Sequence, residues 1–133
     1  MKFVCLGYYA EKSWDGMTQA QQDALVDECL AYDENVLRKG RHFVTGEALA
    51  PSNAARIVRF QDGRVKVTDG PYAETKEQIG GLMILEAANL EEAVRLISQH
   101  PGLKGGPFEI RPIVDMTPIV QASEVRRSAK KGR

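Results

Sequence analysis

Cysteine is scarce in this sequence: Cys5 and Cys29 are the only two in 133 residues. They form no C-x-x-C pair and no disulfide framework, so they read as unpaired, buried thiols. Histidine is equally sparse. His42 and His100 stand alone, without H-x-H, H-x-x-x-H or H-E-x-x-H spacing, so no metal site and no cofactor is expected. Charge of one sign is missing as well. Eighteen Lys and Arg balance eighteen Asp and Glu, which leaves no global field to gather nucleic acid or an anionic membrane surface. No apolar run approaches the ~20 residues of a membrane helix. The apolar opening Phe3-Val4-Cys5-Leu6 is too short for a secretory leader and runs at once into Tyr8, Tyr9, Glu11 and Lys12. A cytoplasmic protein is the expectation. Phosphate-binding loops, nucleophile elbows and dinucleotide fingerprints are absent too. Gly102 and Gly105-Gly106 do not follow a strand in the required order.

What is present suits one domain with an ordinary core. Residues 2–9 read as a central strand, apolar on both faces. Thr18 with Gln21 makes a capping box. Behind it Leu25, Cys29, Tyr32 and Val36 recur at helical spacing until Gly40. Extended segments follow at 42–48, 55–60 and 64–68, the last two joined by the hairpin turn Asp62-Gly63. Val on one face and charge on the other give this hairpin a wet side. Asp69-Gly70-Pro71 is a turn signal, and residues 73–78 read as a short helical turn. A strand at 79–86 begins on Gly80-Gly81, which signals a bulge or a close approach. Asn89 with Glu92 starts a second helix, His100-Pro101-Gly102 stops it with His100 as its cap, and residues 108–114 form a last strand at an edge, since it holds Pro112.

Without the hairpin the order is βαββαβ, the ferredoxin-like α+β pattern, with an antiparallel sheet and two helices on one face. The other face is left bare, and a homodimer with that face buried is the expectation. The domain then spans residues 1–116. Residues 117–133, with Arg126, Arg127, Lys130, Lys131 and Arg133, read as a frayed basic tail.

The run Thr68-Asp69-Gly70-Pro71-Tyr72-Ala73-Glu74-Thr75-Lys76-Glu77-Gln78-Ile79-Gly80-Gly81 resembles the signature of the DGPF-motif branch of YCII-related proteins. Gly46-Glu47-Ala48-Leu49, Glu92-Ala93 and Glu109-Ile110-Arg111-Pro112 agree in order and spacing. The resemblance implies a dimeric ferredoxin-like fold and says little about chemistry, because related dimeric α/β-barrel families include isomerases, decarboxylases and monooxygenases. It also carries an association with sigma-factor regulation. Tyr72 stands where the family usually has Phe. The His of the better-described YCII proteins would fall near Cys29, and their Asp-Pro at His100-Pro101. Their proposed acid–base pair is therefore absent.

Asp69 is the candidate catalytic residue, as general base or ligand acceptor; the alternative is an Asx-turn holding Gly70-Pro71. Glu74, Lys76 and Glu77 with Tyr72 are candidate ligand-binding residues, or a solvated turn. Glu47 and Arg111 either pair across the sheet or line a polar cleft with Asp69. Trp14 falls in the loop before the first helix, where it anchors the loop or stacks on a ligand. The reading is a small-molecule-binding protein or small enzyme, with a polar cleft near the DGPY-AETKE segment and carboxylate-mediated proton transfer. The alternative is a noncatalytic regulatory or partner-binding module.

Overall fold

A computed structural model describes residues 1–132. Strands β1 (Lys2–Tyr9), β2 (Phe43–Ala48), β5 (Gln78–Glu86) and β6 (Phe108–Pro112) form one antiparallel sheet in the order β2-β5-β1-β6. That is the ferredoxin-like arrangement, with two split βαβ units interleaved. β1 lies inside the sheet, and β6 with Pro112 lies at an edge. Strands β3 (Arg56–Gln61) and β4 (Arg64–Asp69) pair only with each other, as a separate hairpin. Its turn has positive φ at Asp62 (55°) and Gly63 (76°), as a two-residue turn matched to strand twist requires.

Pleating sends alternate side chains to opposite faces. Phe3 and Cys5 of β1 lie opposite Leu85 and Met83 of β5, and Cys5 also faces Ile110 of β6. This face carries the core. Helices α2 (Gln19–Tyr32) and α3 (Leu90–Ser98) cover it, together with the π-helical turn Asp33–Arg38 that continues α2. Cys5, Leu37, Met83, Leu85 and Ile97 form one buried cluster; Phe3, Ala87 and Ala93 form another. The Tyr32 hydroxyl donates to the Leu96 carbonyl at 2.5 Å and ties the two helices together.

Thr18 and Gln21 form the expected reciprocal cap. Asn89 accepts from the Glu92 N–H, but Glu92 bonds the Ala88 N–H rather than that of its cap. The expected apolar stripe changes at its end. In the wide turn the Lys39 N–H reaches back five residues to Glu34 O. Leu37 therefore enters the core, and Val36 stays exposed. Residues 73–77 form no helical turn. Trp14 lies not in a loop but in a short helix, α1 (Glu11–Asp15). The frayed tail is also corrected, since residues Thr117–Lys131 form helix α4 with Pro118 in its first turn, where the missing N–H costs nothing. Among the described residues no helix is long and apolar enough to cross a membrane.

Gly80 is the extra residue of a bulge, because Gly7 pairs with Gly81 and Tyr8 with Ile79. A Cβ on Gly80 would stand 2.5 Å from Cδ1 of Tyr9. The expected close approach is thus the Tyr9 ring lying on bare backbone.

Two stability measurements follow. Leu85→Ala should cost about 2–5 kcal/mol in urea unfolding, since Leu85 is fully buried. Burial also pushes the Cys5 thiol up from 9.0 to about 11. The neutral thiol therefore stabilises the fold fully below about pH 9, and that contribution is lost as the pH rises through 11. Unfolding midpoints of Cys5→Val should lack this part of the alkaline decline.

Candidate functional site

The DGPY-AETKE segment leaves the hairpin at Asp69 and enters β5 at Gln78. It has no regular structure, yet it is cross-braced by its own groups. The Thr75 hydroxyl donates to Glu77 O at 2.6 Å, and the Gln78 amide donates to Ala73 O and Thr75 O at 2.9 and 3.1 Å. The Gly70 N–H donates to Ala55 O at 2.9 Å. Asp69 is exposed and pairs with Arg56 at 3.4 Å. Tyr72 is exposed, with the Arg59 guanidinium 5.2 Å from its ring centre. Glu74, Lys76 and Glu77 face solvent. These bonds hold the backbone, while the carboxylates of Asp69, Glu74 and Glu77 stand in solvent with no wall around them among the described residues.

Glu47 and Arg111 lie on the open face of the sheet, at opposite edges. Glu47 pairs in register with Leu82, and Leu82 with Leu6. Arg111 pairs with Val4. Three strand spacings put the edges roughly 14 Å apart, so the expected ion pair across the sheet does not form. Arg111 binds Glu109 instead. Between the edges runs an apolar band of Val4, Leu6, Leu82 and Ile84, half-buried in the single chain.

A half-open concavity lies elsewhere. A cavity of about 330 Å³ opens between α1, α2 and the 3₁₀ turn Pro101–Lys104. Its apolar walls include Trp14, Met17 and Leu25; Tyr9, Glu28 and Lys104 supply polar groups. Glu28 and Lys104 form an ion pair at 2.6 Å. Tyr9 is anchored through Glu11, whose carboxylate accepts from the Ser52 hydroxyl and from the Ser52 N–H at 2.9 Å. These Ser52 bonds hold the Glu11 carboxyl below the usual carboxylate range. Burial, with Glu11 second, pushes the Tyr9 phenol up. The Tyr9 ring lies on Gly80, so the cavity adjoins the strand that continues the AETKE segment. Sequence reasoning missed this site because its walls join residues 9–28 to Lys104 and Gly105 far along the chain. Trp14 beside an apolar helical stripe was the available signal.

His100 does not cap α3. It is 5% exposed, and its ring packs between Tyr32 and Phe108. Nδ1 accepts from the Gly102 N–H at 2.9 Å, so the hydrogen-bond pattern assigns the proton to Nε2, which donates to Asp33 at 2.8 Å. Both nitrogens are occupied. The pair braces the end of α2 against the loop before β6 and offers a substrate no free nitrogen. Cys29, one turn before Asp33, is a free half-buried thiol whose pKa burial raises.

A family model described as the YCII-related domain matches residues 1–117. The chain belongs to the YCII-related domain family. An uncharacterised protein of Rhizobium meliloti (strain 1021) is 28% identical over 117 residues, covering 85% of this chain and 92% of that protein. The solved structure of 5-chloro-2-hydroxyhydroquinone dehydrochlorinase from Burkholderia phenoliruptrix AC1100, in complex with 2,5-dihydroxybenzoquinone, aligns with a TM-score of 0.51 and 17% identity. It covers 86% of this chain and 94% of that one. At that identity the likeness carries the fold alone.

Replacing His100 by Ala leaves the Asp33 carboxylate and the Gly102 N–H without this partner. The variant should lose about 1–3 kcal/mol in urea unfolding. A cost near zero would remove the brace.

Proposed function

We propose that this YCII-related chain is a small-molecule-binding protein or small enzyme, seating its ligand in the cavity beside Trp14. One observation carries this reading: the cavity has the volume, the apolar walls and the few polar groups of a small-ligand site. The ligand class that fits offers an apolar ring to Trp14, Met17 and Leu25 and a charged or hydrogen-bonding group to Lys104 or Glu28. None of the DGPY-AETKE side chains lines that cavity; in the enzymatic form of this reading the ligand lies instead in a polar cleft between the sheet and the DGPY-AETKE segment. There Asp69 takes a proton, and Lys76 or Arg111 holds the anion that results. Tyr72, Glu74, Glu77 and Glu47 are its remaining polar contacts. The braced backbone of the segment supports this, because a loop ordered before binding loses less entropy when it acts. The working form is a cytoplasmic homodimer with the open sheet face buried, which the band of Val4, Leu6, Leu82 and Ile84 supports.

A second reading is a noncatalytic partner-binding or regulatory module. It is favoured by one observation, the exposure of Tyr72 and the AETKE side chains in the single chain.

Trp14 is the only tryptophan, so binding can be read from its fluorescence. A panel of small aromatic acids, phenols and amines should include compounds that change this emission and raise the melting temperature. Leu25→Trp, which fills the cavity, should abolish the melting shift. If the whole panel leaves emission and melting unchanged, the cavity is not a ligand site for this class. For any compound turned over, Asp69→Asn should abolish turnover in a folded variant; retained turnover removes Asp69 as the base.

A further inference from the structure

Hairpin β3–β4 has two chemically different faces. Val58 pairs with Val67 and Phe60 with Val65, so these four side chains share one face. They are 67%, 62%, 77% and 64% exposed, in that order. The Arg56–Asp69 pair lies at the base of this same face, and the opposite face carries Arg59 with Lys66, Gln61 with Arg64, and Ile57 with Thr68. Arg59 lies over the Tyr72 ring there. Ile57 and Lys66 on that opposite face are half-buried, so the face of Val58, Phe60, Val65 and Val67 is the uncovered one. None of the four apolar side chains joins a core cluster. A lone two-stranded hairpin is marginal in water.

We infer that hairpin β3–β4 is an arm whose apolar face packs on the open sheet face of a second copy of this chain. Three observations select a second copy. First, the same molecule carries the complementary surface, the band of Val4, Leu6, Leu82 and Ile84. Second, the sizes match. Four such side chains expose on the order of 400 Å², half of the ~800 Å² per partner in a stable interface. Under a two-fold axis each copy gives one arm and receives one, so the half-buried band adds to the arm's area on each side. Third, the charges agree. The hairpin has four basic residues (Arg56, Arg59, Arg64, Lys66) against two acidic ones (Asp62, Asp69). The rim of the open face carries Glu47, which has no ion-pair partner among the described residues. In this arrangement the partner's sheet supplies the wall that the DGPY-AETKE segment lacks in a single chain.

This inference rests on the homodimer of the proposed function and adds how it is built. Light scattering at micromolar concentration should give a dimer mass for the native chain. Phe60→Glu and Val67→Lys should each weaken the dimer at least tenfold with unchanged circular dichroism. A p-benzoylphenylalanine introduced at position 60 should crosslink between chains, to peptides containing Val4, Leu6, Leu82 or Ile84. A dimer unaffected by both substitutions, or crosslinks confined to one chain, overturns the arm and leaves the homodimer standing. A monomeric native chain overturns both. In every case the fluorescence response of Trp14 in Phe60→Glu reports separately on the cavity.

Discussion

A four-stranded sheet has two faces, and the helices of this chain cover one. The main core follows from that side: Phe3, Cys5, Met83 and Leu85 look toward α2 and α3, and Leu37, Ala93 and Ile97 close over them. Burial of this layer is the dominant favourable term in folding. What it leaves over is the open band of Val4, Leu6, Leu82 and Ile84, with Glu47 at one edge and Arg111 at the other. The His100–Asp33 pair and the cavity with Glu28 and Lys104 lie on the helix side instead.

The contact between Tyr9 and Gly80 joins the two regions of interest. A bulge at Gly80 removes one side chain from the sheet surface, and the Tyr9 ring occupies the space. Tyr9 is in turn fixed by Glu11, and Glu11 by Ser52 from the crossover between β2 and β3. The cavity near Trp14 and the start of β5 are therefore parts of one mechanical unit. Displacing the Tyr9 ring would disturb the strand that ends the AETKE segment.

Much of the architecture was legible because it depends on local rules. Period-two strands, the Thr18 box, the Asp62-Gly63 turn and the paired glycines each act within a few residues, and the family match agrees with the motif at 68–81. The failures have physical causes of their own. A wide helical turn exchanged Val36 for Leu37, because an apolar pair at adjacent positions leaves the choice to the turn geometry. Helix α4 was hidden by its charge, although its Ser, Ala, Lys and Arg residues are compatible with helix once Pro118 sits in the first turn. His100 was read from the helix before it, whereas its partners, Asp33 and the loop after it, are fixed by tertiary packing. The cavity was illegible for the same reason: Tyr9, Trp14, Leu25 and Lys104 meet only when the chain has closed.

The π-helical turn at Asp33–Arg38 has a consequence for how this sequence can change in length. A turn of this kind holds one residue more than the α-helix around it. It places Asp33 beside His100 and Leu37 in the core at the same time. Deleting one residue between them would restore ordinary helical pitch and swing one of the two off its target by about a hundred degrees. An insertion would do the same in the other sense. Between positions 33 and 37 the chain thus tolerates exchange of residue types more readily than a change in their number. Insertions and deletions should be sought instead at the Asp62-Gly63 tip, where an added residue meets only solvent.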